Sequence, residues 1–347
     1  MKKILITLSL LIIGFTSYSQ EIEYIKNTMD DFLWIKKQEN LYKTSTMHPL
    51  RYYKILFHIV RTSSGIIERE GLELDIKKAI KYMNNKYIGA NVQFYSCGIN
   101  YIDNDLYYNH DPGRDIILTH TYNDTTAINV YLCNSMYQYT SDTTIQYYWG
   151  YASGPSPSNK KNEVLIVLKQ SQMDELVTLT HEFGHFFGLP HTHQNFIPEF
   201  ADSSNCSTAG DLFCDTPADP NLEFDKYVDE NCYYTGDTVD GHGDEYNPDV
   251  TLIMSYARHK CRTRFSNEQL GAINYWANRS MLICYSHMHT FENTTMTSNQ
   301  NITEDVILIK NTNIENNAEV KLKSCAFVEI SGDSEVKLGS TLDIIIE

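Results

Sequence analysis

Apolar positions along the chain change period several times, and each change predicts an element. Residues 53–60, Tyr-Lys-Ile-Leu-Phe-His-Ile-Val, read as a strand, and residues 72–87 carry apolar side chains at helical spacing. Strand-like runs return at 92–95, 128–132 and 164–168, which predicts a mixed sheet with a helix packed against it. Between the last two runs, residues 134–162 are rich in Tyr, Ser, Thr, Gly and Asn and read as a long surface loop. Ser171 then stands as N-cap of a helix in which Leu176, Leu179, Phe183 and Phe186 recur every three or four positions. Beyond Phe186 the pattern is loop-rich until residues 266–276. From about residue 290, short alternating stretches such as Val306-Ile307-Leu308-Ile309 predict a small β module. There, residues 317–322 and 333–338 resemble each other, which suggests a stacked repeat.

The first residues follow a different pattern. Lys2 and Lys3 precede an apolar run at 4–15 that is too short to span a bilayer comfortably. With Ser17 and Ser19 at the positions a signal peptidase reads, residues 1–19 are expected to be a signal peptide cleaved before Gln20. Residues 20–50, polar and rich in Lys and Glu, are a pro-segment or an N-terminal extension, and no later segment of the mature chain looks transmembrane. Eight cysteines and no C-x-x-C pair suit an exported, disulfide-bonded protein better than a redox or cysteine-metal one. A formal charge of −16, from 44 acidic and 28 basic side chains, argues against a nucleic-acid partner held through phosphates. With 42% apolar residues, the chain has enough to build an ordinary core.

The chemistry lies in His181-Glu182-Phe183-Gly184-His185-Phe186-Phe187-Gly188-Leu189-Pro190-His191, an H-E-x-x-H-x-x-G-x-x-H sequence. Residues four apart share one helix face, so His181 and His185 can aim at one ion. Gly188 can turn left-handed, end the helix and let the chain bring His191 back to the same ion. Three imidazoles with a fourth position open describe a catalytic zinc site, since a structural site fills all four positions with protein. Glu182 is then the general base toward a metal-activated water. Five fixed positions arise by chance in on the order of one in ten thousand chains of this length.

With these residues the chain resembles the pappalysin family of the metzincin clan. Gly210-Asp211-Leu212-Phe213-Cys214-Asp215-Thr216-Pro217 is similar to that family's G-D-x-x-x-D-T-P stretch, and Leu252-Ile253-Met254-Ser255-Tyr256 to its Met-turn. Further similarity at 55–60 and 150–152 extends the likeness over about 53–276. The resemblance implies an α+β fold: a metzincin-like domain with a mixed twisted sheet and an active-site helix above a loop-rich lower subdomain. The tail adds a small C-terminal β module, giving boundaries at 1–19, 20–50, 51–287 and 288–347. It implies Met254 as an apolar floor beneath the metal and Tyr256 as a hydroxyl facing the metal or the oxyanion. It also implies disulfides Cys206 to Cys214 and Cys232 to Cys261. Cys97 and Cys133, each at a strand end, are a further candidate pair, while Cys284 and Cys325 stay unassigned.

Pappalysin-like enzymes often need calcium, and Asp211, Asp215, Asp225, Asp229, Asp237, Asp240, Asp244 and Asp249 crowd the lower lobe, so at least one calcium site is expected there. Where some family members carry an acidic residue after the Met-turn Tyr, this chain reads Ala257-Arg258-His259-Lys260, which predicts no strong preference for Arg or Lys after the scissile bond. With no cysteine before Cys97, latency would fall to a carboxylate such as Asp30, Asp31 or Glu39. The expected substrates are proteins or peptides. A catalytically silent binding or adhesion protein on the same fold is the competing reading, and the retained Glu182 speaks against it.

Overall fold

The computed structural model describes residues 47–141, 144–154, 165–194, 197–223, 226–279 and 287–346. The expected signal peptide, the three carboxylates considered for latency, Cys284, Asp225 and residues 155–162 of the expected loop lie outside them.

The chain runs β1 (Arg51–Arg61), α1 (Leu72–Tyr87), β2 (Val92–Asp103), α2 (Asp105–Tyr108), β3 (Asn109–His110), α3 (Asp115–Tyr122), β4 (Ile128–Cys133), β5 (Ser135–Ser141), β6 (Thr144–Tyr148), β7 (Gly150–Ala152), β8 (Ile166–Lys169), α4 (Leu176–Phe186) and α5 (Asn267–Ala277). Five strands form the main sheet in the order β2-β1-β4-β8-β7, parallel except for β7 at the edge. Central β4 is buried at every residue, as a strand covered on both faces must be. On one face Tyr53, Ile55, Phe57 and Ile59 of β1 meet Leu72, Ile76, Ala79 and Met83 of α1 and Phe183 and Phe187 at the end of α4. Phe94 packs edge-on against Phe183 at 4.9 Å and Tyr87 at 5.2 Å, and the Tyr87 hydroxyl donates to the Thr180 carbonyl. These contacts fix α4 beneath the sheet.

Two local expectations are corrected. The segment expected to be one long loop contains β5 and β6, an antiparallel hairpin with Met136 opposite Tyr148 and Tyr137 opposite Tyr147, and then β7. Its Tyr and Thr residues read as polar by composition, yet they are strand formers. The helix expected to begin at Ser171 begins at Leu176. The buried Gln170 amide donates to the carbonyls of Val60 and Leu132, and this tie holds residues Gln170–Met173 in a 3-10 turn first.

Below α4, between residues 191 and 264, the described residues form no helix or named strand, only bridges such as Val228 to Tyr234 and Leu252 to Arg264. Disulfides Cys206–Cys214 and Cys232–Cys261 cross-link this lobe around a small cluster of Leu222, Val228, Val250 and Ala257.

The tail is a parallel solenoid of three rungs. Strands β9 (Met288–Glu292), β12 (Val306–Lys310) and β15 (Phe327–Ser331) stack as one sheet. Strands β10 (Thr295–Met296), β13 (Asn313–Ile314) and β16 (Glu335–Val336) form the second, and β11 (Gln300–Thr303), β14 (Glu319–Ser324) and β17 (Thr341–Ile346) the third. Asn293, Asn311 and Gly332 occupy one corner with φ of 52°, 48° and 65°, and the Asn311 amide donates to Asn293 Oδ1. The two stretches that resemble each other do not stack: Val320 pairs with Leu342, and Val336 with Ile314.

The solenoid lies on the sheet face opposite α4. The Tyr95 hydroxyl donates to Asp305, which also pairs with Lys54 at 3.3 Å, and Phe327 packs against Tyr52. Cys97 bonds Cys325 here, not Cys133. A register shift where Ile55 and Phe57 meet Ser96 and Ile99 frees Cys97 toward the tail, whereas Cys133 ends β4 inside the core.

Candidate metal centre

His181 and His185 stand one turn apart on α4, with Nε2 atoms 3.0 Å apart, and His191 brings its Nε2 to 2.9 Å from that of His185. The return of His191 has a local cause. Gly188 adopts φ 85°, the Gly188 N–H donates to His185 O, and the Leu189 N–H donates to Gly184 O. This is a Schellman ending, which reverses the chain after the second histidine. The Leu189 carbonyl, placed by the turn, accepts from His185 Nδ1 at 2.7 Å, and the Ile253 carbonyl accepts from His181 Nδ1 at 2.7 Å. Each of these rings therefore carries its proton on Nδ1 and points an Nε2 lone pair at the others. Lone pairs converging at 3 Å repel unless a cation lies among them, so the donor set fits a divalent metal bound by imidazole.

Glu182 is fully buried beside the first histidine and lies directly under the edge strand: a Cβ on Gly150 would come within 2.7 Å of Glu182 Oε1. Only glycine leaves room for the carboxylate there. Met254 lies beneath α4, where a Cβ on Gly184 would meet its Sδ at 2.3 Å. The Met254 carbonyl accepts from Thr192 N, which joins the Met-turn to the segment after His191. Tyr256 packs against His191 at 4.5 Å and His193 at 4.4 Å between ring centroids, and His193 stacks on His191.

The acidic residues of the lower lobe separate into two kinds. Asp215 accepts from the Glu268 N–H at the start of α5, and Asp229, Asp240 and Asp249 accept backbone N–H groups of their own turns. Those carboxylates hold loops. Asp211 and Asp219 likewise accept from the N–H groups of Phe213 and Asn221 but are more deeply buried, as is Glu199; Glu199 and Asp219 did not stand out in the sequence. Burial, then the Asp219 charge, pushes the Glu199 carboxyl up to about 7. Burial pushes Asp219 up to about 6 against a hydrogen bond from Thr192, and raises Asp211 well above the usual carboxylate range. Glu199 Oε1 and Asp211 Oδ2 are buried without a hydrogen-bond partner.

The stretch Arg258 to Lys260 is largely neutralised. Arg258 pairs with Glu230 at 2.9 Å and donates to the Val228 carbonyl, Lys260 pairs with the same Glu230, and His259 lies 3.3 Å from Glu175 and against Trp149. His193, Glu199, Asp219 and Glu230 had no sequence signal of their own, and Gly150 stood out only as part of the family-like stretch 150–152, because each matters through a partner distant in the chain.

Comparison with known proteins agrees with this geometry. The family model described as pregnancy-associated plasma protein-A, that of the M43 peptidases, matches residues 111–276. No curated protein matches. Among solved structures, a promirolysin variant from Tannerella forsythia aligns with a TM-score of 0.53 at 15% identity, over 74% of this chain and 91% of that one. Mature mirolysin from the same organism, in complex with a cleaved peptide, aligns with a TM-score of 0.48 at 15% identity, over 69% and 96%. At 15% identity the likeness to promirolysin is one of fold.

Proposed function

We propose that this chain, a metallopeptidase of the pappalysin or M43 family over residues 111–276, is an exported zinc-dependent endopeptidase that cleaves proteins or peptides. The observation that carries the reading is the convergence of His181, His185 and His191 with two of their Nδ1 atoms already tied to carbonyls. Zinc suits three neutral imidazoles, and when bound it supplies a Lewis acid that activates water and polarises the scissile carbonyl.

Glu182 takes a proton from the attacking water and returns it to the leaving amine. Its burial under Gly150 keeps the carboxylate close to the ligands and away from bulk solvent. Tyr256, held against His191, turns its hydroxyl to the oxyanion that develops on the carbonyl oxygen. Met254 supports α4 from below and so sets the height of His181 and His185. Arg258 and Lys260 share Glu230 after the Met-turn Tyr, where an acidic group would draw Arg or Lys, so cleavage before those residues is not strongly preferred.

Calcium in the lower lobe stays part of the reading, supported by its acidic loops; among the described residues the acidic group there whose three ligand atoms lie within 4.8 Å of one another is Asp240, His242 and Asp244. Residues 288–347 are read as a module apart from the peptidase domain, supported by a core of their own around Met296, Ile307, Val320 and Leu322. Export rests on the apolar run at 4–15. It is consistent with the three disulfides among the described residues.

The test is digestion of denatured casein by the mature chain, with and without a zinc chelator, beside Glu182→Ala. Cleavage is expected to stop with chelator and to fall by about 10²–10⁴-fold in the variant. Equal cleavage by Glu182→Ala would overturn the mechanism and reopen the silent binding protein as the reading.

A further inference from the structure

Arg262 heads the fully buried side chains by volume, with 1% of its surface exposed. An arginine is rarely taken out of water without a function or a partner set. The guanidinium Nη1 lies 3.3 Å from His181 Nδ1 and donates to the Ser255 carbonyl at the same distance. Three features hold it there. Cys261, its neighbour, is bonded to Cys232, the Ile253 N–H donates to the Arg264 carbonyl, and the Tyr82 hydroxyl reaches the Arg262 carbonyl.

His181 Nδ1 gives its proton to the Ile253 carbonyl at 2.7 Å, so it has no lone pair to accept from Arg262. What reaches the ring is therefore the positive charge. The charge is felt nearby: burial pushes the Tyr82 phenol up, and Arg262 pulls it back. A carboxylate or carbonyl behind a ligand imidazole raises its donor strength. A cation in that place withdraws electron density from the ring and repels a dication in front of it.

We propose that Arg262 is a positioning residue that pins the Met-turn at Ser255 and, through its charge on the rear of His181, weakens the hold of the three histidines on their metal. The inference rests on the zinc reading above. Its consequence runs opposite to that of most groups behind a ligand: removing the charge should tighten binding. Arg262→Met removes the charge and keeps an unbranched apolar side chain in place of the arginine stem, which makes it the first variant to test.

The experiment is equilibrium competition for zinc between the full mature chain and a chromophoric chelator, with no substrate present. Wild type should bind one zinc that is lost in His181→Ala. Failure at this step would overturn the metal site itself, and the inference with it. Given binding, Arg262→Met is expected to lower the zinc Kd by about tenfold, while Arg262→Lys, which keeps the charge, stays near wild type. Arg262→Gln, neutral but polar, should tighten binding as the methionine variant does and replaces it if that variant does not fold. Unchanged or weaker binding in a folded neutral variant overturns the proposal, as does tightening by the lysine variant equal to that of the neutral ones.

Discussion

The half of the molecule that carries His181 and His185 and the half that carries His191, Met254 and Tyr256 are held together by different forces. The upper half is a regular sheet on two helices whose core joins Tyr53, Phe57, Met83, Phe94, Phe183 and many others, and burial of apolar surface stabilises it. The lower half lends Phe213, Ile253 and Met254 to that core and otherwise has a cluster of a few residues, short turns closed by carboxylates, and two disulfides. Several of its non-glycine residues, among them Ser203, Leu212 and Cys232, hold positive φ, a cost that a poorly packed region meets only when cross-linked. The candidate site lies on the seam. Two of the proposed ligands come from the part that packs well, and the third depends on the part that does not, so the integrity of the site should follow the weaker half.

That difference can be broken from below. Replacing Cys232 and Cys261 by alanine opens a loop of 29 residues and is expected to cost about 3–4 kcal/mol. The loss should appear in calorimetry as an early transition of the lower lobe, with metal binding gone while far-ultraviolet dichroism of the sheet persists. A single transition lowered as a whole would show that the halves do not differ in this way. Breaking the seam from above costs less. Gly184→Ala gains about 1 kcal/mol in helix propensity, but its Cβ meets Met254 Sδ at 2.3 Å, and overpacking of about 1–3 kcal/mol should prevail. Denaturant unfolding measures the balance, and a net gain in stability would mean that Met254 moves freely.

The buried carboxyls sharpen the comparison through pH. Asp219 is raised to about 6 and Glu199 to about 7 in the folded chain. A carboxyl whose folded pKa lies above its unfolded one destabilises the fold once it ionises, so stability is kept below the unfolded values and lost as pH rises from about 4 to about 7. Chelated protein should show a melting temperature that falls across that window. A flat profile would show that the two carboxyls are not raised, and recovery of stripped protein by zinc alone removes calcium from the account. The smallest effect is expected at the tail. Serine at Cys97 and Cys325 removes the covalent tie to the solenoid, yet casein cleavage should proceed at the wild-type rate, because the sheet separates this contact from Glu182.

The extent to which the sequence foretold these parts follows from the range of the interactions. The convergence of the three histidines was legible because helix geometry relates positions 181 and 185, and one glycine turn relates 185 to 191. The main sheet was legible from runs such as 53–60, whereas β5 and β6 were hidden by polar residues that pair with each other. Gly150 over Glu182, Arg262 behind His181 and Cys97 with Cys325 are meetings across tens to hundreds of residues, which no local pattern encodes. In the tail a stacked repeat was visible but its register was not, since the rungs differ in length at their corners: Val306 pairs back to Met288 and forward to Phe327.

Those rungs stack at about 4.8 Å, the spacing between neighbouring strands of any sheet, and the face beneath them is itself a sheet. The first rung meets Thr126 ahead of β4 through His287, the second meets Lys54 and Tyr95, and the third meets Tyr52 and Cys97. Two surfaces of equal pitch can dock at several offsets of one step with similar contact. The disulfide then acts as an index pin, selecting a single offset from a ladder of near-equivalent ones.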